Sequence, residues 1–268
     1  MDRGYFINMT INKILHTYWG GEKLSYLRYL TIISFIKYNP DWEVKLYIPA
    51  KLFKGNNTWS TKEQDGIYTG KDYLNELPIT PIKISMESIG MSDDIPEVHK
   101  SDILRYFLLL SYGGVWSDMD ILYTKPLVID DSINHIVCKH PTHDYYSIGL
   151  IGGVKGSGLF KLLLDRSFDI RTKGYQSFGN QIWCNLNLVK GTWNIPMWLV
   201  YYLDSTKIPD IFEKNIKLPE ESIGLHWYGG HKLAGEWENK VTPNNYEFDT
   251  TLGTVLKQIL KDTQNEIL

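Results

Sequence analysis

The sequence predicts an α/β fold, a mixed sheet flanked by helices, in one domain over residues 1–268. Three observations carry that prediction. A length of 268 residues suits a single mixed domain with one large core. Strand-like runs alternate with amphipathic helical runs along the chain. The chain also opens β-α-β, the start of a Rossmann-like sheet of the nucleotide-binding type, and no internal repeat or Pro/Ser-rich linker divides it.

Residues 12–19 read as a short buried strand. Residues 22–38 carry Leu24, Leu27, Leu30, Ile33 and Ile36 at helical spacing until Asn39-Pro40 stops the helix. Trp42, Val44, Leu46 and Ile48 then alternate with Asp41, Glu43, Lys45 and Tyr47, a second strand that ends at Pro49. Residues 51–81 are polar and rich in Gly, Asn and Thr, a surface excursion expected near a site mouth, with a short helix over 71–77. The next helix is expected to begin close to Ser101, capped by its hydroxyl, and to run through Ile103, Leu104, Phe107, Leu108 and Leu110 until Gly113-Gly114 ends it. A strand over 115–122 follows at once. Further strands are expected over 136–139, 148–154 and 223–227, and helices over 159–165 and 180–188. Residues 251–260 carry Leu252, Val255, Leu256, Ile259 and Leu260 on one face, a terminal helix docked on the core.

Composition excludes several classes of function. With 43% hydrophobic and 22% charged residues the chain is neither disordered nor a disulfide scaffold. A net charge of -3 with scattered lysines offers no basic face to nucleic acid or an anionic membrane. No apolar run approaches the ~20 residues that a membrane span needs. Cys138 and Cys184 lack C-x-x-C spacing, and no charged-then-apolar leader precedes them, so a cytoplasmic protein with reduced thiols is expected. The two Asn-x-Thr acceptor sequences, starting at Asn8 and Asn56, are read as chance. Aromatic residues reach 13%, with 9 Trp and 18 Tyr, a richness that suits stacking on sugars or bases.

The chemistry concentrates after Gly114. Period two in a strand places Trp116, Asp118, Asp120 and Leu122 on one face, with the two aspartate Cα atoms about 7 Å apart. Two converging carboxylates suit Mn2+ or Mg2+, hard ions that prefer carboxylate, phosphate and water oxygens. An isolated Asp-x-Asp arises readily by chance, so its context must carry the argument. That context is Ser101-Asp102-Ile103-Leu104-Arg105 followed by Gly113-Gly114-Val115-Trp116-Ser117-Asp118-Met119-Asp120. Asp102 and Arg105 are spaced i, i+3 and present a carboxylate and a guanidinium on one helix face.

These segments resemble the S-D-x-x-R…G-G-x-[YW]-x-D-x-D signature of sugar transferases in glycosyltransferase family 32. The opening His16-Thr17-Tyr18-Trp19-Gly20-Gly21 is similar to that family's H-x-x-W-x-G-G, with one residue fewer before the glycines. The resemblance implies a GT-A fold, a nucleotide-sugar donor and transfer with retention of anomeric configuration. It implies that 1–125 mainly binds nucleotide and 126–268 mainly serves the sugar and acceptor. Tyr18 and Trp19 would sit at the nucleotide, Trp19 stacking on the base. Asp102 and Arg105 would contact ribose or sugar, and Trp116 would line the nucleotide cleft. Asp118 would touch ribose and metal, and Asp120 would ligate the metal.

Further on, His226-Trp227-Tyr228-Gly229-Gly230-His231-Lys232 and then Trp237 resembles the H-x-x-G-x-x-K-P-W element of the retaining family 8. There the His completes the metal shell and the Lys meets the diphosphate, roles carried over to His226 and Lys232. Residues 233–236 intervene before Trp237, where the match ends. Phe178-Gly179-Asn180-Gln181-Ile182-Trp183-Cys184-Asn185 resembles family 8's D-Q-D-x-L-N, with Asn180 and Ile182 in place of its acids. An amide cannot act as a covalent nucleophile, so the expectation is a front-face mechanism with Gln181 near the anomeric carbon. Ser147 sits where relatives often have an Asn touching the donor sugar. UDP is expected over GDP, Mn2+ or Mg2+ as the ion, and a glycan or other hydroxyl as acceptor, in a bacterial or large-virus glycan pathway. Two other readings of the residues are a DxD phosphohydrolase, whose signature wants Thr or Val where Leu122 stands, and a non-catalytic carbohydrate-binding protein. Cys138, His140 and His143 lack the spacing and the fourth ligand of a structural zinc site and are read as loop residues.

Overall fold

The backbone is a seven-stranded mixed sheet with helices on both faces, and a two-stranded sheet beside it. In this computed structural model, residues 10–55, 68–170, 174–188 and 190–265 are described. Both acceptor sequences, at Asn8 and Asn56, and the middle of the polar excursion fall outside them.

The predicted β-α-β opening is present. β1 (Ile14–Tyr18) leads into α1 (Tyr26–Tyr38), and β2 (Glu43–Pro49) returns parallel to β1. Ser25 caps α1 by accepting the Arg28 N–H, satisfying one of the free donors of the first turn. Among its described residues the excursion holds one 3₁₀ turn, Leu74–Glu76, and directly after it comes a short edge strand that periodicity did not reveal, β3 (Ile82–Ile84), parallel to β2.

α2 (Glu97–Tyr112) starts one turn earlier than its Ser101 signal. Pro96 opens it, a residue with no N–H to leave unsatisfied and a φ already suited to helix entry. Ser101 therefore lies inside the helix, where its hydroxyl accepts from the Arg105 guanidinium at 3.3 Å. Gly113 (φ +67) and Gly114 (φ +104) end α2 and turn the chain into β4 (Gly114–Ser117), which pairs parallel to β1.

The expected continuous strand over 115–122 is broken at its acids. β4 stops at Ser117, a turn carries Asp118 to Asp120, and β5 (Ile121–Tyr123) pairs in the second sheet. The break places one carboxylate after β4 and the other before β5, where neighbouring donors can offset the cost of burying them. β6 (His135–Val137), β7 (Leu150–Gly153) and the unforeseen β8 (Thr192–Asn194) complete the main sheet in the order β3-β2-β1-β4-β7-β6-β8, with β7 antiparallel to both its neighbours.

α3 (Gly158–Asp169) packs on α2. The helix expected over 180–188 is only a 3₁₀ turn, Asn180–Trp183. Asn185 at φ 59 and the Arg166 guanidinium, which takes the carbonyls of Ile182 (2.6 Å) and Cys184 (3.2 Å), end it. α4 (Ile208–Glu213), β9 (Gly224–His226), α5 (Lys232–Lys240) and α6 (Thr251–Asn265) follow; α4 and α5 were not anticipated. Leu252, Val255, Leu256 and Ile259 of α6 are buried with Leu27, Leu30 and Trp227, as its apolar stripe requires. No helix among the described residues is long and apolar enough to cross a membrane.

The turn from α2 to β4 yields a stability test. A Cβ on Gly114 would stand 2.5 Å from the Ile14 carbonyl oxygen, against backbone that cannot move aside. Gly114→Ala is expected to cost at least about 2 kcal/mol in urea unfolding. Gly156→Ala, at φ +76 with open space around it, is expected to cost only about 1 kcal/mol.

Candidate functional site

Asp118, Asp120 and His226 converge so that one ligand atom from each lies within 4.8 Å of the others. Sheet register brings them together. In the second sheet Ile121 faces His226 across the β5–β9 ladder, and the Trp227 N–H donates to the Asp120 carbonyl at 2.9 Å. The histidine therefore arrives beside the acid that immediately precedes β5.

Asp120 is held on several sides. Its Oδ1 is 3.1 Å from His226 Nε2, and its Oδ2 accepts the Gly229 N–H at 2.8 Å. Burial alone would raise its pKa, but the charges of His226 and Arg28 and the Gly229 N–H hold it down, to about 2. Asp118 is oriented from the other side: its Oδ1 accepts from Trp116 Nε1 at 2.7 Å and lies 3.4 Å from Arg105 Nη2. Arg105 in turn pairs with Asp102 at 2.7 Å and donates to the Ile148 carbonyl at 2.7 Å. Asp118 and Asp102 keep this buried guanidinium charged.

Two carboxylates and an imidazole are a donor set suited to Mn2+ or Mg2+. His226 Nδ1 is buried and makes no hydrogen bond, and Asp120 Oδ1 is buried with the His226 Nε2 pairing on it, leaving acceptor capacity for a further partner. The residues fit a divalent ion.

A second set of contacts joins the acidic turn to the segment after β9. Arg28 donates through Nε and Nη2 to the Glu238 carboxylate at 2.8 to 3.1 Å, through Nη1 to the Met119 carbonyl at 3.4 Å, and through Nη2 to the Gly229 carbonyl at 3.3 Å. The guanidinium lies 4.3 Å from the centre of the Trp19 ring and 5.0 Å from that of Trp227.

The predicted site residues are thus placed unequally. Asp102, Arg105, Trp116, Asp118, Asp120 and His226 form one connected set. Trp19 joins it through Arg28, which covers one of its faces. Trp116 is fully buried and donates its indole N–H to Asp118. Asp102 and Arg105 are also buried and paired with one another, and Arg105 reaches Asp118 directly. Tyr18 is buried with its hydroxyl donating to Glu97. Ser147 is buried, its N–H on the Cys138 carbonyl. Gln181 is exposed on the 3₁₀ turn that follows Gly179, and Gly179 packs against Asp102. Lys232 is exposed at the start of α5, just beyond the Gly229 segment.

Cys138, His140 and His143 do not make a metal group. The Cys138 sulfur sits 3.4 Å from that of Met197, and burial pushes its thiol up to about 12. The Asp118–Asp120–His226 set is the only cluster of three or more such ligands among the described residues.

Sequence reasoning missed Arg28, Glu238 and Tyr201. A signal for Arg28 was present. In a lysine-heavy chain, all three arginines among the described residues, Arg28, Arg105 and Arg166, each donate to two or more acceptors from other parts of the chain or their own helix.

With this geometry in place, the chain can be set beside known proteins. Residues 28–139 match the family described as "Glycosyltransferase sugar-binding region containing DXD motif", and Asp118-Met119-Asp120 is the one DXD in that stretch. The chain carries such a region. No curated protein matches the sequence. Similar solved structures include the PaToxG glycosyltransferase, 17% identical over 96% of this chain and 86% of that one, with a TM-score of 0.46. The glycosyltransferase GlyE of Streptococcus pneumoniae TIGR4 is 13% identical over 95% of this chain, which spans 62% of GlyE, with a TM-score of 0.46. The galactosyltransferase LgtC, solved with donor and acceptor sugar analogs, is 10% identical over 91% of this chain and 93% of its own, with a TM-score of 0.42.

The Arg28–Glu238 pair is testable on its own. The two side chains are only 12% and 8% exposed, so removing one leaves the other charge buried. Glu238→Ala is expected to cost about 3–5 kcal/mol in denaturant unfolding. In a double-mutant cycle, Arg28→Met with Glu238→Ala should recover part of that loss.

Proposed function

We propose that this chain is a metal-dependent, retaining glycosyltransferase of GT-A fold that moves a sugar from a nucleoside-diphosphate donor, a UDP-sugar, to a glycan or other hydroxyl acceptor. The convergence of Asp118, Asp120 and His226 carries the reading, because a turn and a strand far apart in sequence deliver three metal-type donors to one point. The sugar-binding region over 28–139 supports it independently. In this reading 1–268 is one domain, with 1–125 mainly on the nucleotide and 126–268 mainly on the sugar and acceptor.

Asp118, Asp120 and His226 would hold Mn2+ or Mg2+, which when bound supplies Lewis-acid stabilisation of the charge on the departing diphosphate. The protein's part is preorganisation. Trp116 and Arg105 fix the first acid, and Gly229 and Arg28 fix the second. Lys232 supplies an ammonium to the diphosphate, Trp19 a face for the base, and Gln181 an amide near the anomeric carbon. With Asn180 in place of an acid, no carboxylate at that position can form a covalent glycosyl intermediate, which favours direct front-face attack by the acceptor, its proton passing to the leaving diphosphate. The free cysteines, Cys138 and Cys184, suit a reducing, cytoplasmic compartment.

The test is nucleotide release from a panel of UDP- and GDP-sugars, with Mn2+ and then with EDTA. Release from one donor that EDTA abolishes is the expected result; release indifferent to EDTA overturns the metal role. Asp120→Asn keeps an oxygen for the Gly229 N–H but removes the charge, and is expected to lower kcat/KM at least about 100-fold. Asp131→Asn, on the exposed surface, should leave it unchanged.

A further inference from the structure

The turn after β9 carries backbone strain on an aromatic residue. Tyr228 has φ 54, in the left-handed region, where a bulky side chain is an outlier. Gly229 and Gly230 follow directly, yet neither takes a positive φ. Gly229 answers a different need: a Cβ there would stand 2.6 Å from Arg28 Nη2 and 3.0 Å from the Trp227 ring. Strain of this kind persists only where surrounding contacts hold it, and it gathers at functional sites.

The contacts around Tyr228 lead to the metal-type group. Before it in the chain, the Trp227 N–H donates to the Asp120 carbonyl at 2.9 Å; after it, the Gly229 N–H donates to Asp120 Oδ2 at 2.8 Å. The dihedrals of Tyr228 lie between those two donors, and the His231 N–H closes the turn on the Tyr228 carbonyl at 2.8 Å. The ring of Tyr228 packs edge to face with His226, the centroids 4.1 Å apart and the planes at 84°. The Tyr201 ring flanks the same imidazole at 5.1 Å. Two rings thus confine an imidazole whose Nε2 stands 3.1 Å from Asp120 Oδ1, and the Tyr228 hydroxyl takes no part in these contacts.

We propose that Tyr228 is a positioning residue for the divalent-ion group. Its backbone directs the Gly229 N–H at Asp120, its ring fixes the His226 imidazole, and these two contacts offset the strain. The inference rests on the metal role given to Asp118, Asp120 and His226. A glycine at 228 would relieve the strain and give up the ring, which makes stability and metal binding separable at this position.

Tyr228→Phe, Tyr228→Gly and Tyr228→Ala are compared with wild type by calorimetric titration of Mn2+, alone and with UDP present, and by melting temperature. Tyr228→Phe keeps the ring and the turn, so its Mn2+ affinity should stay within about twofold of wild type. Tyr228→Gly and Tyr228→Ala lose the ring and should bind Mn2+ at least about tenfold more weakly. Only glycine relieves the strain, so Tyr228→Gly should melt about 2–4 °C above Tyr228→Ala, the reverse of the order these residues show inside helices and strands. Mn2+ affinities within about twofold of wild type in both of these variants overturn the proposal and leave the metal reading standing. A loss in Tyr228→Ala that Tyr228→Gly restores together with its melting temperature traces to stability and also overturns it, as does an equal loss in Tyr228→Phe. His226→Ala separates the two claims: if it binds Mn2+ as wild type does, or if wild type binds none, the metal reading fails first and takes the role of Tyr228 with it.

Discussion

The Arg28 guanidinium is the joint on which the rest of the site depends. It stands on α1, yet its five N–H groups reach the carbonyl of Met119 between the two acids, the carbonyl of Gly229 beyond β9, and the carboxylate of Glu238 on α5. Two parts of the chain distant from α1 and from each other, the acidic turn and the segment 229–238, are thereby held to one planar cation between two indole rings. The same fork adds positive charge near Asp120, so one group both positions the acid and helps to keep it ionised. The desolvation of a nearly buried guanidinium is offset by bidentate pairing and by the two carbonyls, and satisfying so many donors at once requires a specific arrangement of all three segments.

Arg105 does for Asp118 what Arg28 does for Asp120. It links the acid to Asp102 one helical turn away and to the carbonyl of Ile148, close to Gly149. The two aspartates are thus tethered by different guanidiniums and flank the ends of strands in two different sheets, Asp118 after β4 and Asp120 before β5. Their spacing is a property of how those sheets meet, with the turn between them supplying the join.

Much of this was legible in the sequence where a local rule applied. Alternation in β2, the helical stripes of α1 and α6, and the glycine pair after α2 announce themselves because periodicity and positive-φ turns are local. Asp118, Asp120 and His226 were identified by motif, and the structure gathers them. The failures have equally local causes. A period-two reading ran straight through Asp118 to Asp120 because alternation cannot distinguish a strand from two strands separated by a turn. The helix read over 180–188 ignored Asn185, which adopts the left-handed conformation, and the Arg166 fork that captures the carbonyls there. Arg28, Glu238 and Tyr201 acquire their meaning only from residues some distance away in the chain, and no window along the sequence contains both members of such a pair.

That long reach has a consequence for how the protein comes into being. During synthesis Arg28 and the two acids emerge early, whereas His226 and Glu238 belong to the last part of the chain. Until those residues have left the ribosome, Arg28 lacks its carboxylate and the acidic turn lacks its histidine, so the early portion holds a charge that it cannot bury at low cost. Non-local closure of this kind is slow to nucleate and cooperative once begun. A chain stopped short of β9 and α5 would carry the DXD motif without the His226 ligand and the Glu238 partner of Arg28 that complete this geometry.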